Sequence, residues 1–428
     1  MPTIFKRLKL YIFILILSTL IFFIGRELLA PPRPHLTVIG YAQMADGIGR
    51  QTVELINALY DSVSIGVLPY KRSRLEGVPK PIQALLKKPN KKLGKIVIYE
   101  PAMPTPGPKA EARVKRKLQR PKNDKEIRIA YSMLESSRIP SQWAELLNKY
   151  FDAVAVPDPF LQEVYRTSGV EIPIFVLPLG LDMSSFLNQP LKKKRNVPFC
   201  FVNVSSMIPR KNHEGLIRAF YRAFGNDPNV QLHMNYRSGS MTLTGKIQEL
   251  IASLNMQNIF LTGKRLNAKD YLDFVSKGDA FVSLAKGEGF SIQPREAMAL
   301  GLPVIISNNT AHKTIIESGL ACAVSCPRSE DAYNFYLKCT CGEEYLADEV
   351  EAAALLRDVY ENYERYLAGA EKRREWAAHY TFDHLKPLYR SLVAPKQVIL
   401  GDRDEITEEY VMTSSNELYL KYKKVLEL

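Results

Sequence analysis

The stretch Asp279-Ala-Phe-Val-Ser-Leu-Ala-Lys286-Gly-Glu288-Gly-Phe-Ser-Ile-Gln-Pro-Arg-Glu296-Ala-Met-Ala-Leu-Gly301-Leu-Pro303-Val-Ile-Ile-Ser307 carries its own punctuation. Ala280 to Leu284 is a short apolar run of the kind that forms a buried parallel strand, and the glycines at 287 and 289 end it with a turn that lets backbone approach a ligand. A helix is expected next, with Pro294 at its first position, Glu296 in its first turn, and Gly301 and Pro303 stopping it before a strand from Val304. This arrangement puts Glu288 at a strand's carboxyl end and Glu296 at a helix's amino end, the crevice where open parallel sheets bind ligands. Carboxylates accept hydrogen bonds from sugar and ribose hydroxyls, and the free N–H groups of a helix start hold phosphate oxygens. A nucleotide sugar offers both groups.

Glu288 and Glu296, with Gly287, Gly289, Phe290, Pro294, Ala297, Gly301 and Pro303 around them, resemble the E-x7-E signature of retaining family-4 glycosyltransferases. The resemblance implies an α/β chain of GT-B fold, two Rossmann-like domains facing a cleft. It also implies a nucleotide-diphosphate sugar as co-substrate, with no cofactor and no metal. Glu288 would be the catalytic group that orients the donor sugar, Glu296 would grip ribose, and Gly287, Gly289, Phe290 and Ser291 would line the donor. A glycosidase acid/nucleophile pair is the other reading of two glutamates. Nothing in the surrounding sequence looks built to raise one of their pKa values.

The chain has 428 residues, enough for two such domains, and its 46% hydrophobic fraction is globular. The expected division is an anchor and linker over 1–34, an acceptor domain over 35–195, a nucleotide-sugar domain over 196–378, and a crossover helix with an extension over 379–428. The formal net charge is +13, and nearly all of the excess falls between Lys71 and Lys125. That stretch reads either as a solvated basic insertion or as a surface for anionic lipid headgroups or a phosphate-bearing acceptor. No aromatic interleaving or recognition motif accompanies it, so nucleic acid is not expected as a partner.

Leu10 to Gly25 is uncharged and almost wholly apolar behind Lys6, Arg7 and Lys9, the pattern of a transmembrane helix or a signal peptide. Leu28-Leu-Ala30-Pro31 makes a poor cleavage site, which favours an uncleaved anchor. The weak positive-inside bias taken literally leaves the enzyme outside the cytosol. Against that, Asn203-Val-Ser205 and Asn308-Asn-Thr310 would be glycosylation acceptors in a secretory lumen, on elements expected to line the crevice. An odd number of cysteines, five, also favours a cytosol-facing domain. Cys322, Cys326, Cys339 and Cys341 read as core thiols, with zinc ligation as the alternative.

Strands are expected at Leu36–Tyr41, Val63–Leu68, Lys95–Tyr99, Ile127–Tyr131, Ala153–Val156 and Ile174–Leu177, and their alternation with helices predicts a parallel sheet. Gly47 and Gly49 open the first helix and resemble a family loop that approaches donor phosphates or acceptor, although a plain Asp46 helix cap explains the same residues. Met133–Pro140 and Pro178–Asp182 resemble loops near the acceptor and the domain junction. After a strand at Phe199–Val204, Lys211 matches the family's phosphate-binding lysine, and Arg210 stands in for an arginine whose position holds Ser206. Lys264, after the strand Ile259–Thr262, is expected at the same crevice.

The acceptor is expected to be a glycan or a lipid-linked molecule, met at the membrane. Two other readings compete. A nucleotide-sugar 2-epimerase would need a crevice histidine that the sequence does not reveal, His35 being the first domain's only one. A non-catalytic membrane scaffold would explain Ser206.

Overall fold

The computed structural model describes residues 33–44, 47–88, 92–100, 103–236, 238–393 and 416–426. The apolar segment 10–25 and Asp46 lie outside the described residues. Among the described residues no helix is long and apolar enough to cross a membrane.

Two six-stranded sheets organise the chain. The first contains β1 (Leu36–Gly40), β2 (Ile65–Pro69), β3 (Ile96–Tyr99), β4 (Ile127–Tyr131), β5 (Ala153–Val156) and β6 (Ile174–Val176) in the order β2-β1-β3-β4-β5-β6. The second contains β7 (Phe199–Val204), β8 (Val230–Asn235), β9 (Ile259–Thr262), β10 (Ala280–Ser283), β11 (Val304–Ser307) and β12 (Cys322–Val324) in the order β12-β11-β10-β7-β8-β9. Every neighbouring pair in both sheets is parallel. Helices cover both faces of such sheets, which is why β1, β3, β4, β5, β10 and β11 are buried at every residue and are largely apolar, Arg128 of β4 being the charged exception. The strand order reverses between β1 and β3 in one sheet and between β7 and β10 in the other, so each sheet has a crevice at those carboxyl ends.

The basic stretch 71–125 is not an insertion. It supplies β3, which pairs with β1 and β4 in the middle of the first sheet, and two helices, Lys80–Lys87 and Ala110–Leu118. Lys80, Lys87, Arg113, Lys115 and Arg116 lie on the exposed sides of those helices, whose Ile82, Leu86, Val114 and Leu118 are buried, while much of the remaining charge lies in the loops between elements. From Asp348 to Ala378 the chain forms three helices, Glu349–Glu361, Tyr363–Leu367 and Ala370–Ala378, the first capped by Asp348 accepting from Val350 N at 2.8 Å. The four clustered cysteines separate: Cys322 and Cys326 pack on the second sheet's core, Cys339 and Cys341 on the first's. All five cysteines are free.

One element has no counterpart in the sequence reading. β13 (Arg328–Asn334) and β14 (Cys339–Leu346) form an antiparallel hairpin outside both sheets. Its second strand is tied to the first half, with Ser137 N donating to Glu343 O at 3.1 Å and Glu343 N to Ser137 Oγ at 2.8 Å. The same strand is tied to the second half by Tyr345 N donating to Lys286 O at 2.8 Å.

The chain ends by returning to the first half. The Phe382–Ser391 helix packs on the Gly47–Leu59 helix, and Lys386 bonds Asp61 at 2.6 Å. Leu418, Tyr422 and Val425 of the Asn416–Leu426 helix are buried, as their spacing predicts, and Tyr422 donates to Leu392 O at 3.0 Å.

Tyr389 is the polar pin of this return. It is 1% exposed, and its hydroxyl donates to Pro178 O at 2.7 Å while accepting from Gly180 N at 3.0 Å. Tyr389→Phe leaves both backbone groups buried without that partner, so a loss of about 1–3 kcal/mol is expected in urea unfolding. An unchanged midpoint would mean that water replaces the hydroxyl.

Candidate functional site

The loops after β7 and β10 meet at the second sheet's reversal point. β7 runs into a 3-10 turn, Pro209–Lys211, which closes on Asn212 in the left-handed region (φ 51°), whose side chain caps the His213–Phe224 helix through Gly215 N at 3.2 Å. That cap places Arg210 and Lys211 in front of the loop Lys286–Gly289. Lys211 Nζ bonds Glu288 Oε1, and Arg210 Nη1 lies 3.1 Å from Glu288 Oε2. Glu288 is 6% exposed. Burial pushes its carboxyl upward, but Lys211 and Arg210 outweigh that and hold it down to about 2. The group is an anion throughout the physiological range.

Gly287 is a contact point between the two halves. A Cβ there would stand 2.0 Å from the Glu135 carbonyl oxygen, so only glycine fits. Glu135 also reaches Arg210 Nη2 with its carboxylate at 3.2 Å. The loop is braced from behind by Thr310, whose Oγ1 accepts from Glu288 N at 2.8 Å.

The helix carrying Glu296 begins earlier than its proline suggests. It spans Ile292–Ala299, so Pro294 is its third residue and Glu296 lies in the second turn, not the first. The physical reason is Ser291, which takes the left-handed conformation (φ 64°) and is held there by His312 Nε2 bonding its Oγ at 2.8 Å. Gly301 ends the helix region with φ 76°. Glu296 is 2% exposed and has two partners, Arg50 Nη1 at 3.0 Å from the first half and the Tyr271 hydroxyl at 2.5 Å.

Other expected site residues fall in different places. Phe290 is 3% exposed and turned inward, with the Arg295 guanidinium stacked 4.0 Å from its ring, so its side chain supports the loop from below. Ser291 is likewise turned inward, to His312. Lys264 is exposed beyond β9, at the sheet's edge and two strands from β7. Gly49 packs against backbone, where a Cβ would lie 2.8 Å from Gln43 N, and Gly47 opens its helix. His35 precedes β1, at the sheet end opposite the crevice, and bonds Val393 O at 2.9 Å.

Three residues at the site escaped the sequence reading. Arg50 immediately follows the Gly47-Ile-Gly49 loop, and that position was its only signal. Glu135 lies inside the Met133–Pro140 stretch noted for its resemblance. His312, in the stretch that follows β11, lies beside the crevice rather than in it. It is fully buried behind the Glu288 loop, bonded to Ser307 O at 3.0 Å, and burial lowers its pKa to about 4, so it acts as a neutral brace.

Residues 188–338 match the glycosyl transferases group 1 family. No curated protein matches the chain by sequence. Among solved structures, Anabaena Alr3699/HepE in complex with UDP is similar with a TM-score of 0.62 and 12% identity, covering 84% of this chain and 99% of that one. The same protein in complex with UDP-glucose gives 0.60 at 12% identity, with coverage of 84% and 99%. A glycosyltransferase from Rickettsia africae gives 0.58 at 16% identity, with coverage of 86% and 99%. At such identities the likeness is one of fold, and two six-stranded parallel sheets are consistent with the two-domain GT-B fold.

The first sheet's crevice holds a carboxyl of opposite character to Glu288. Glu100, just past β3, is 2% exposed, with one oxygen accepting from Thr52 Oγ1 at 3.3 Å, and burial raises its pKa from 4.5 to about 8. Folded protein therefore keeps this proton after the unfolded chain has lost it. Stability from this group is full below pH 4.5 and falls as pH rises toward 8, with a slope approaching about 1.4 kcal/mol per unit. Unfolding titrations on either side of that window should show Glu100→Gln losing less stability with rising pH than the parent. Parallel losses would contradict the assignment.

Proposed function

We propose that this chain is a membrane-anchored, retaining glycosyltransferase that moves a sugar from a nucleotide-diphosphate donor to a glycan or lipid-linked acceptor. The observation that carries the reading is the anionic Glu288 set between Arg210 and Lys211 at the reversal point of the second sheet. The family match over 188–338 and the UDP and UDP-glucose complexes of the similar Anabaena protein support it.

Each carboxylate has capacity left for a ligand. An ionised carboxyl offers about four lone-pair sites, and Glu296 uses one oxygen for Arg50 and the other for Tyr271. Ribose hydroxyls donating to Glu296 would use the remaining sites, and Glu288 would receive donor-sugar hydroxyls in the same way. Arg210 and Lys211 would neutralise the diphosphate as the C1–oxygen bond to it breaks, which is the charge development a metal ion handles in other transferases. The acceptor oxygen bonds C1 on the face the phosphate leaves, and its proton passes to the departing phosphate oxygen. The chain's groups position and neutralise, and none is assigned as a nucleophile.

The apolar segment Leu10–Gly25 would anchor the chain, with the enzyme facing the cytosol, and the basic stretch 71–125 would meet anionic lipid. Hydrolysis of a panel of sugar nucleotides by the purified chain tests the enzymatic reading against a scaffold. No turnover of any donor would favour the scaffold.

Glu296→Gln removes a charge-assisted acceptor for ribose, so UDP binding by titration calorimetry should weaken by about 1–3 kcal/mol. Glu288→Gln should slow transfer more than it weakens donor binding, because it orients the reacting sugar. A fall in affinity as large as the fall in rate would remove that role from Glu288.

A further inference from the structure

The hairpin β13–β14 is polarised along its length. At its base Glu330 faces Glu344 and Asp331 faces Glu343 across the strands, and Lys286 bonds both Glu330 and Glu344. At its tip the acids give way to Tyr333-Asn-Phe335-Tyr336-Leu337-Lys338. Leu337 turns inward onto the first sheet's core, together with Cys341. Tyr333, Phe335 and Tyr336 turn outward and are 50%, 67% and 80% exposed. Three large aromatic side chains within four residues, two of them stacked edge to face at 5.1 Å, form an apolar cap on an otherwise charged element.

The tip does not stand alone. Thr105 Oγ1 donates to Tyr336 O at 3.3 Å, which fastens it beside the segment entering the Ala110–Leu118 helix. Lys109, Arg113 and Arg116 are exposed there at three- and four-residue spacing, on one helix face, and Lys338 is exposed at the tip itself. The helix's one acid, Glu111, is already bonded to Lys149, Lys115 and Tyr150. Aromatic rings with polar edges next to an uncompensated row of cations are the chemistry of the headgroup layer of an anionic bilayer: tyrosine and phenylalanine settle at its apolar boundary, and lysine and arginine meet its phosphates. The hairpin's exposed acids are Glu330, Asp331 and Glu343, all on the base side of the aromatic cap: Glu330 is bonded to Lys286, and Asp331, the nearest to the tip in sequence, precedes Tyr333 by two residues and Phe335 by four.

We infer that the tip of this hairpin, Tyr333, Phe335 and Tyr336, is a membrane-docking finger that enters the interface of an anionic bilayer beside the Lys109–Arg116 helix face. The inference deepens the membrane part of the reading above and is independent of the transfer chemistry. It assigns to the hairpin what the charge pattern alone assigned to the basic stretch.

Phe335→Trp in the full-length chain, reconstituted into vesicles, tests it. Subtracting the emission of the parent protein corrects for Trp143 and Trp376. In vesicles of phosphatidylserine and phosphatidylcholine, emission from the introduced indole should shift to the blue and be lost when the lipids carry bromine on their acyl chains. Adding Arg113→Glu and Arg116→Glu should reverse much of that loss. Solvent-like emission untouched by brominated lipid, in protein still associated with the vesicles, overturns the finger. Quenching of equal strength in purely zwitterionic vesicles overturns the anionic assignment. A blue shift that grows with protein concentration and ignores bromine would show a second copy of the chain on the tip, which also overturns it. Sugar-nucleotide hydrolysis in the same vesicles reports separately on the transferase reading.

Discussion

A carboxylate cannot stay ionised in a protein interior without partners, and the constraint that Glu288 imposes runs through the whole molecule. Its two cations come from the turn after β7, and one of them, Arg210, also binds Glu135 of the first half. Glu296 is in the same position, answered from the first half by Arg50. In a third buried pair, Arg295 with Asp158 at 3.4 Å, the cation offsets burial only in part, and the Asp158 carboxyl is raised to about 6. Removing one member of any pair leaves a buried charge uncompensated, which costs far more than the pair contributes. The two halves are thus matched by charge at the crevice, and by apolar packing where the last helices return.

The buried acids divide by environment. Glu288 has two cations and remains an anion, whereas Glu100, with a hydroxyl as partner, is pushed toward its neutral form. Glu54 is also raised, to about 8, by burial, despite Arg50 at 3.4 Å. One crevice wall therefore carries an ionised carboxylate with its paired cations, and the other carries carboxyl groups that hold their protons near neutrality.

Both sheets were legible because parallel strands buried on both faces are mostly apolar, even where one carries a buried charge as β4 carries Arg128, and the loop around Glu288 was legible through its paired glycines. The hairpin was not. Its acids gather at the base and its aromatics at the tip, and its register shifts between Asp331 and Tyr333, so neither the period nor the composition announces a strand pair. The start of the helix at Ile292 was hidden because it depends on Ser291 being held by His312, a contact 21 residues away. Arg50 was hidden for the same reason at larger scale, since its partner lies 246 residues on. The stretch 71–125 misled in the opposite sense: its strand at Lys95–Tyr99 was legible, but the surrounding charge made the stretch read as an insertion when it supplies the centre of the sheet.

The hairpin's two attachments give it a metrical role. Its base is bonded to Lys286, two residues from Glu288, and its strands of seven and eight residues extend about 23 Å at the usual rise. If its tip sits at a bilayer surface, as inferred above, the hairpin would be a ruler, setting the height at which a sugar is held above the lipid. An acceptor rooted in that bilayer would then reach the donor only if the part standing clear of the headgroups were of comparable length.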